Sequence, residues 1–199
     1  DLRQQVLRFG VKRVDAVLFT HAHADHLHGI DELRLFNLWQ KSSIPCYANS
    51  HTAQRIRAYL TYIFDGTPAK SFRPGLELVE VDGAFDALGE SVQTMPLLHG
   101  DMPIFGYRIR DFAYLTDVSA IPEESYSLLE GVEVLVLDAL RPEPHPTHFS
   151  LEEALAAAER IGAGRCLLTH LSHRMGHEKV NKGLPSDVEL AYDGMRIQI

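Results

Sequence analysis

Residues 18–31 read LFTHAHADHLHGID and continue the apolar run VDAVLF. Four imidazoles and a carboxylate, His21, His23, Asp25, His26 and His28, thus collect where a buried strand should end. On an extended segment, residues two apart share a side, so His21 and His23 face one way. Asp25 and His26 then fall on another, and one short loop can serve two adjacent metal ions. Neutral imidazole together with carboxylate suits Zn²⁺, Mn²⁺ or Fe²⁺.

A metal pair needs more donors, and strand ends are where side chains converge while a sheet fixes their directions. Three further apolar runs end on such residues: TMPLLH at His99, FAYLTD at Asp117 and CLLTH at His170. VLVLD ends on Asp138, which either partners a ligand imidazole or caps the strand. His28, His51 and His177 have no comparable company and read as surface or helix-terminal residues. His145 reads as structural or exposed, and Asp193 in AYDGM as part of a turn.

Strand-like runs alternate with helical patterns along the 199 residues, and this predicts one layered α/β domain spanning 1–199. Strands are expected over residues 14–20 and 44–48, as short runs between 76 and 117, and over 132–140, RCLLTHL and the closing MRIQI. Helices are expected over 31–40, over 49–60 with Asn49 or Ser50 as cap, and over 122–129 with Pro at the first turn. Another is expected over 150–162, framed by a Ser150–Glu153 capping box and a Gly stop. The chain opens in the polar, helix-like DLRQQVLRFG with no strand before it, which predicts that an N-terminal piece of the sheet is missing.

With 45% hydrophobic residues the chain can bury a sizeable core. A net charge of −8 argues against a broad face for nucleic acid. Cys46 and Cys166 lie in apolar surroundings and read as buried free thiols, as in a reducing cytoplasm. No apolar run reaches the roughly 18 residues of a membrane span, and no signal peptide is visible.

THAHADH and then His99, Asp117 and His170, in that order, make the chain resemble the metallo-β-lactamase superfamily of binuclear hydrolases. AYLTD, VLVLDALRPEPHPTHFSLEEAL, LLTHLSHRMGHE and AYDGMRI are similar to the branch of the carbon–phosphorus lyase accessory phosphodiesterase (PhnP). The resemblance covers nearly the whole chain. It implies a four-layer αββα sandwich, here without its N-terminal strands, holding two divalent metals, Zn or Mn. His21, His23 and His99 would hold one metal, Asp25, His26 and His170 the other, and Asp117 would bridge them. His148, in HPTHFS, would contact the phosphate and protonate the leaving alkoxide, and Asp25 would share in catalysis from its metal.

The resemblance also implies a small, cyclic, ribose-type phosphodiester as substrate, and a homodimer. In similar proteins a histidine at the place of His173 joins N-terminal cysteines in a structural zinc site, whereas Cys46 and Cys166 stand elsewhere. Arg141, Arg174 and Lys179 flank the ligand motifs and could meet a distal phosphate or be solvated surface cations. The competing readings are a thioester or lactone hydrolase on the same metals, a tRNA-processing nuclease disfavoured by the acidic charge, a non-catalytic metal-binding protein, and a redox diiron protein.

Overall fold

The computed structural model describes residues 1–66 and 72–199. They form two compact units, one of residues 1–82 with 87–89, the other of residues 83–86 with 90–199.

The first unit opens with α1 (Leu2–Phe9), where Asp1 accepts from the Gln4 amide and Gly10, in the left-handed region, ends the helix. A parallel three-stranded sheet follows, ordered β1 (Val17–Leu18), β2 (Ile44–Ala48), β3 (Leu76–Glu80). Between its strands run α2 (Ala24–Leu27), a 3-10 turn (Ile30–Glu32), α3 (Leu33–Gln40), α4 (Ser50–Tyr59) and α5 (Thr61–Phe64). Asn49 caps α4 by accepting from the Thr52 amide at 2.7 Å. Leu27, Phe36, Ile44 and Ile56 are fully buried in its core. Burying each such side chain is worth about 1.5–3 kcal/mol.

The second unit is built on a seven-stranded sheet with β4 (Ala84–Ala87) at one edge. Next come β5 (Glu90–His99), β6 (Met102–Ile109), β7 (Phe112–Leu115), β8 (Val134–Asp138), β9 (Arg165–Thr169) and β10 (Val188–Leu190). β5, β6 and β7 pair antiparallel, whereas β7 through β10 pair parallel. β5, β7, β8 and β9 therefore run the same way, and their carboxyl ends, His99, Leu115, Asp138 and Thr169, lie along one end of the sheet. α6 (Glu123–Ser127), α7 (Leu151–Ile161) and α8 (His177–Asn181) complete the unit. α7 carries the Ser150–Glu153 capping box and the left-handed Gly162 that the sequence calls for. Leu97, Ile104, Leu115, Leu135, Leu137 and Leu168 fill the core.

Three expectations change. The strand over 14–20 shrinks to Val17–Leu18, because only those residues find register against β2, at Cys46 and Tyr47. MRIQI forms no strand, since an alternating pattern gives no ladder without a neighbouring strand to pair with. β4, absent from the sequence reading, turns into β5 through Leu88 and Gly89, both at positive φ. No helix among the described residues is long and apolar enough to cross a membrane.

Candidate metal centre

In the first unit the donors sit where β1 runs into α2. His21 is buried, while His23 and Asp25 are exposed and His26 is partly so. His23 is the extended residue before α2, and its carbonyl accepts from the amides of His26 and Leu27. This turn gathers the rings: His21 lies 4.6 Å from His23 and 4.3 Å from His26, centroid to centroid. His26 Nε2 is 3.3 Å from Asp25 Oδ2. Asp25 and His26 also line a cavity of about 550 Å³, together with Leu27, Ile30 and α1.

In the second unit the parallel strand ends bring a second donor set together. His99 ends β5, Asp117 follows β7, Asp138 ends β8 and His170 follows β9. Donor atoms of His99, Asp117 and His148 all lie within 4.8 Å of one another, as do those of Asp138, His148 and His170. Asp117 and His170 take φ of 61° and 58°, the left-handed region that costs an L-residue energy. Such strain marks places where the surrounding structure holds a side chain in a required direction.

Hydrogen bonds fix several of these donors. His99 Nδ1 is 2.7 Å from the carbonyl oxygen of Thr147, so it carries the ring proton and Nε2 is the lone-pair nitrogen. Thr116 Oγ1 donates to Asp117 Oδ2 at 2.7 Å, while Asp117 Oδ1 lies 3.3 Å from His170 Nε2. Asp138, fully buried, accepts from the Phe149 amide at 3.1 Å and faces His148 Nδ1 at 3.3 Å and His170 Nδ1 at 3.6 Å. Burial pushes the Asp138 carboxyl above the usual carboxylate range, and the facing imidazoles of His148 and His170 pull it back. His148 is buried and stacks on His170, ring centroids 4.8 Å apart and planes within 12°. Imidazoles tethered through one ring nitrogen and set among buried carboxylates suit a borderline divalent cation.

Apart from Asp138, which joins the second set, the remaining sequence candidates fall outside these clusters. Asp138 proves to be more than a strand-end cap. His145 Nδ1 is held by Thr147, its ring 5.2 Å from that of His148. Arg141 spends its guanidinium on the carbonyls of Glu143 and Pro144, and Arg174 pairs with Glu143 at 2.5 Å. Both arginines therefore brace the segment that leads to His148. His177 is helix-terminal: half-buried, it opens α8, and its Nε2 lies 3.1 Å from the Leu190 carbonyl. His173 is exposed in a turn, and no donor cluster among the described residues includes it. Asp193 lies in a turn, as its sequence suggests. The carbonyl of Thr147 and the hydroxyls of Thr20 and Thr116 escaped the sequence reading. The only sequence signal available was the Thr that directly precedes each of His21, Asp117 and His170.

A family model described as a β-lactamase superfamily domain matches residues 1–171. A solved structure described as a new diphosphatase from the PhnP family aligns over 100% of this chain and 77% of its own, at 37% identity and a TM-score of 0.91. The chain belongs to the metallo-β-lactamase superfamily, on its PhnP branch, and so to a class of metal-dependent hydrolases with the metallo-β-lactamase fold.

Two curated relatives add range. A protein named octanoyltransferase, from Porphyromonas gingivalis, is 36% identical over 98% of this chain. The chain spans only 40% of that protein's length, so the match does not say which part carries the named activity. A ribonuclease Z from Mycobacterium sp. (strain KMS) is 26% identical over 100% of this chain and 82% of its own length.

Proposed function

We propose that the chain is a phosphodiesterase that uses two divalent metals, Zn or Mn, to hydrolyse a small, ribose-type cyclic phosphodiester. His21, His23 and His99 hold one ion, Asp25, His26 and His170 the other, and Asp117 serves both. When bound, the ions polarise the phosphoryl oxygens and make a water acidic enough to attack near neutral pH. Family membership and the tethered imidazoles support this assignment.

The observation that carries the phosphorus reading is the His148–Asp138 pair. Asp138 accepts from His148 Nδ1, which fixes the ring and stabilises its protonated form. The protonated Nε2 then delivers its proton to the oxygen of the breaking P–O bond. An alkoxide leaves poorly without that proton, and a placed acid contributes about 10²–10⁴-fold. Rebinding of the Nδ1 proton by Asp138 is unnecessary, since the carboxylate only orients and stabilises the imidazolium.

A second reading is cleavage of a diphosphate, favoured by the 37% identical relative described as a diphosphatase. A phosphate leaving group needs less help from an acid than an alkoxide does. The two readings separate in one experiment on the metal-loaded chain. A ribose 1,2-cyclic phosphate, a dinucleoside diphosphate and bis(p-nitrophenyl) phosphate are compared for wild type and His148→Ala, with a thioester, a lactone and a precursor tRNA alongside. Opening of the cyclic phosphate, lost in His148→Ala while p-nitrophenyl release persists, is the expected result. Preference for the diphosphate would support the second reading. Turnover confined to the thioester, the lactone or the tRNA would overturn both.

A further inference from the structure

Three of the proposed ligand positions, His21, Asp117 and His170, are each directly preceded by a threonine, which lies just past β1, just past β7 and at the end of β9 respectively. In each unit one of these threonines touches its ligand. In the first, Thr20 Oγ1 lies 3.1 Å from His21 Nδ1, and both residues are buried. In the second, Thr116 Oγ1 donates to Asp117 Oδ2 at 2.7 Å, again with both residues buried. We infer that Thr20 and Thr116 are positioning residues: each hydroxyl engages one donor atom of the next residue, so that the other donor atom is aimed at metal.

The chemistry differs at the two places. A neutral imidazole that offers the Nε2 lone pair keeps its proton on Nδ1, so His21 Nδ1–H donates to Thr20 Oγ1. The Thr20 hydroxyl accepts that proton and fixes the ring plane. A carboxylate has two equivalent oxygens and rotates freely between them. The Thr116 hydroxyl removes that freedom by holding Oδ2, which leaves Oδ1 on the His170 side, 3.3 Å from Nε2. The restraint matters most for Asp117, whose backbone is already in the left-handed region.

This inference rests on the metal-binding reading above. Its test is titration of the full-length, metal-stripped chain with Zn²⁺ against a competing chelator, which reads affinity and stoichiometry without substrate. Thr20→Val and Thr116→Val keep the shape and lose the hydroxyl, whereas Thr20→Ser and Thr116→Ser keep the hydroxyl. Thr94→Val is the control, because its buried hydroxyl donates to the Gly83 carbonyl at 3.1 Å, outside both donor sets. Loss of a group that orients a ligand typically weakens metal binding about 10–100-fold.

The expected result is that loss in each Val variant at the proposed positions, recovery in each Ser variant, and no change in Thr94→Val beyond lower thermal stability. Val variants that bind as wild type does would overturn the inference and leave the metal reading intact. Equal weakening in Val and Ser variants, or in Thr94→Val, would also overturn it, by showing that packing rather than the hydroxyl matters. A wild-type chain that binds no Zn²⁺ would overturn the inference and the metal reading together.

Discussion

His99 Nδ1 lies 2.7 Å from the carbonyl oxygen of Thr147, in the segment that carries His148. A carbonyl only accepts, so this contact dictates the tautomer of His99 and ties the proposed ligand to the segment holding the proposed acid. The next residue, Gly100, has φ of 61°, and a Cβ there would stand 3.0 Å from Thr147 Cγ2. Gly100→Ala should therefore cost about 1–2 kcal/mol from the left-handed backbone alone. Thr147→Ser added to it should recover only the part due to the contact. Denaturant melts measure the cost, and nitrogen shifts of His99 report whether the Nδ1–H form persists. A neutral Gly100→Ala would contradict the account.

Asp138 and His148 should behave as one functional unit. Asp138→Asn removes the charge that holds the imidazolium and should slow release of an alkoxide by roughly 10²–10⁴-fold, while sparing p-nitrophenolate release. The double variant with His148→Ala should be no slower than His148→Ala alone, since residues acting together are not additive. Additive losses would separate the two residues.

Ser150 follows Phe149, next in the chain to His148, and its capping box starts α7. The Ser150 amide donates to Glu153 Oε2 at 2.8 Å, and the Glu153 amide donates back to Ser150 Oγ at 3.3 Å. Ser150→Ala should cost about 1 kcal/mol of stability, read from urea unfolding. An unchanged midpoint and slope would mean that the cap does not hold this end of the helix.

Both cysteines should be silent at neutral pH. Burial pushes the Cys46 and Cys166 thiols from 9.0 up to about 12. The folded chain should resist alkylation and react only on unfolding. The raised values also carry a sign for stability. Below pH 9 both thiols are protonated in either state, and their contribution is fully present. Between pH 9 and 12 the unfolded chain ionises first, so stability falls as pH rises, by up to about 1.4 kcal/mol per pH unit for each thiol. Cys166→Ala, compared with wild type across that range, should show a shallower alkaline decline. Parallel declines would contradict the assignment.

Much of this was legible in the sequence because local rules decided it. β2 (Ile44–Ala48), the Asn49 cap, the Ser150–Glu153 box and the Gly162 stop all appear where side-chain chemistry places them. The candidate donors His21, Asp117 and His170 were visible as polar residues ending apolar runs. β4 was hidden because its turn uses Leu88 and Gly89 at φ of 61° and 83°, without the Asn-Gly or Asp-Gly signal that normally announces such a turn. β1 was overread because Val14 and Ala16 are apolar but lie outside its pairing with β2. The carbonyl of Thr147 could not be read at all, since every residue has one and only the fold aims it at His99.

The most direct test is the metal content of the full-length chain, stripped and then reloaded with Zn²⁺ or Mn²⁺, measured by native mass spectrometry together with elemental analysis. The account predicts two equivalents per chain, falling to at most one tightly held ion in Asp117→Ala. Fewer than two in the wild type, or two held undiminished without Asp117, would contradict it.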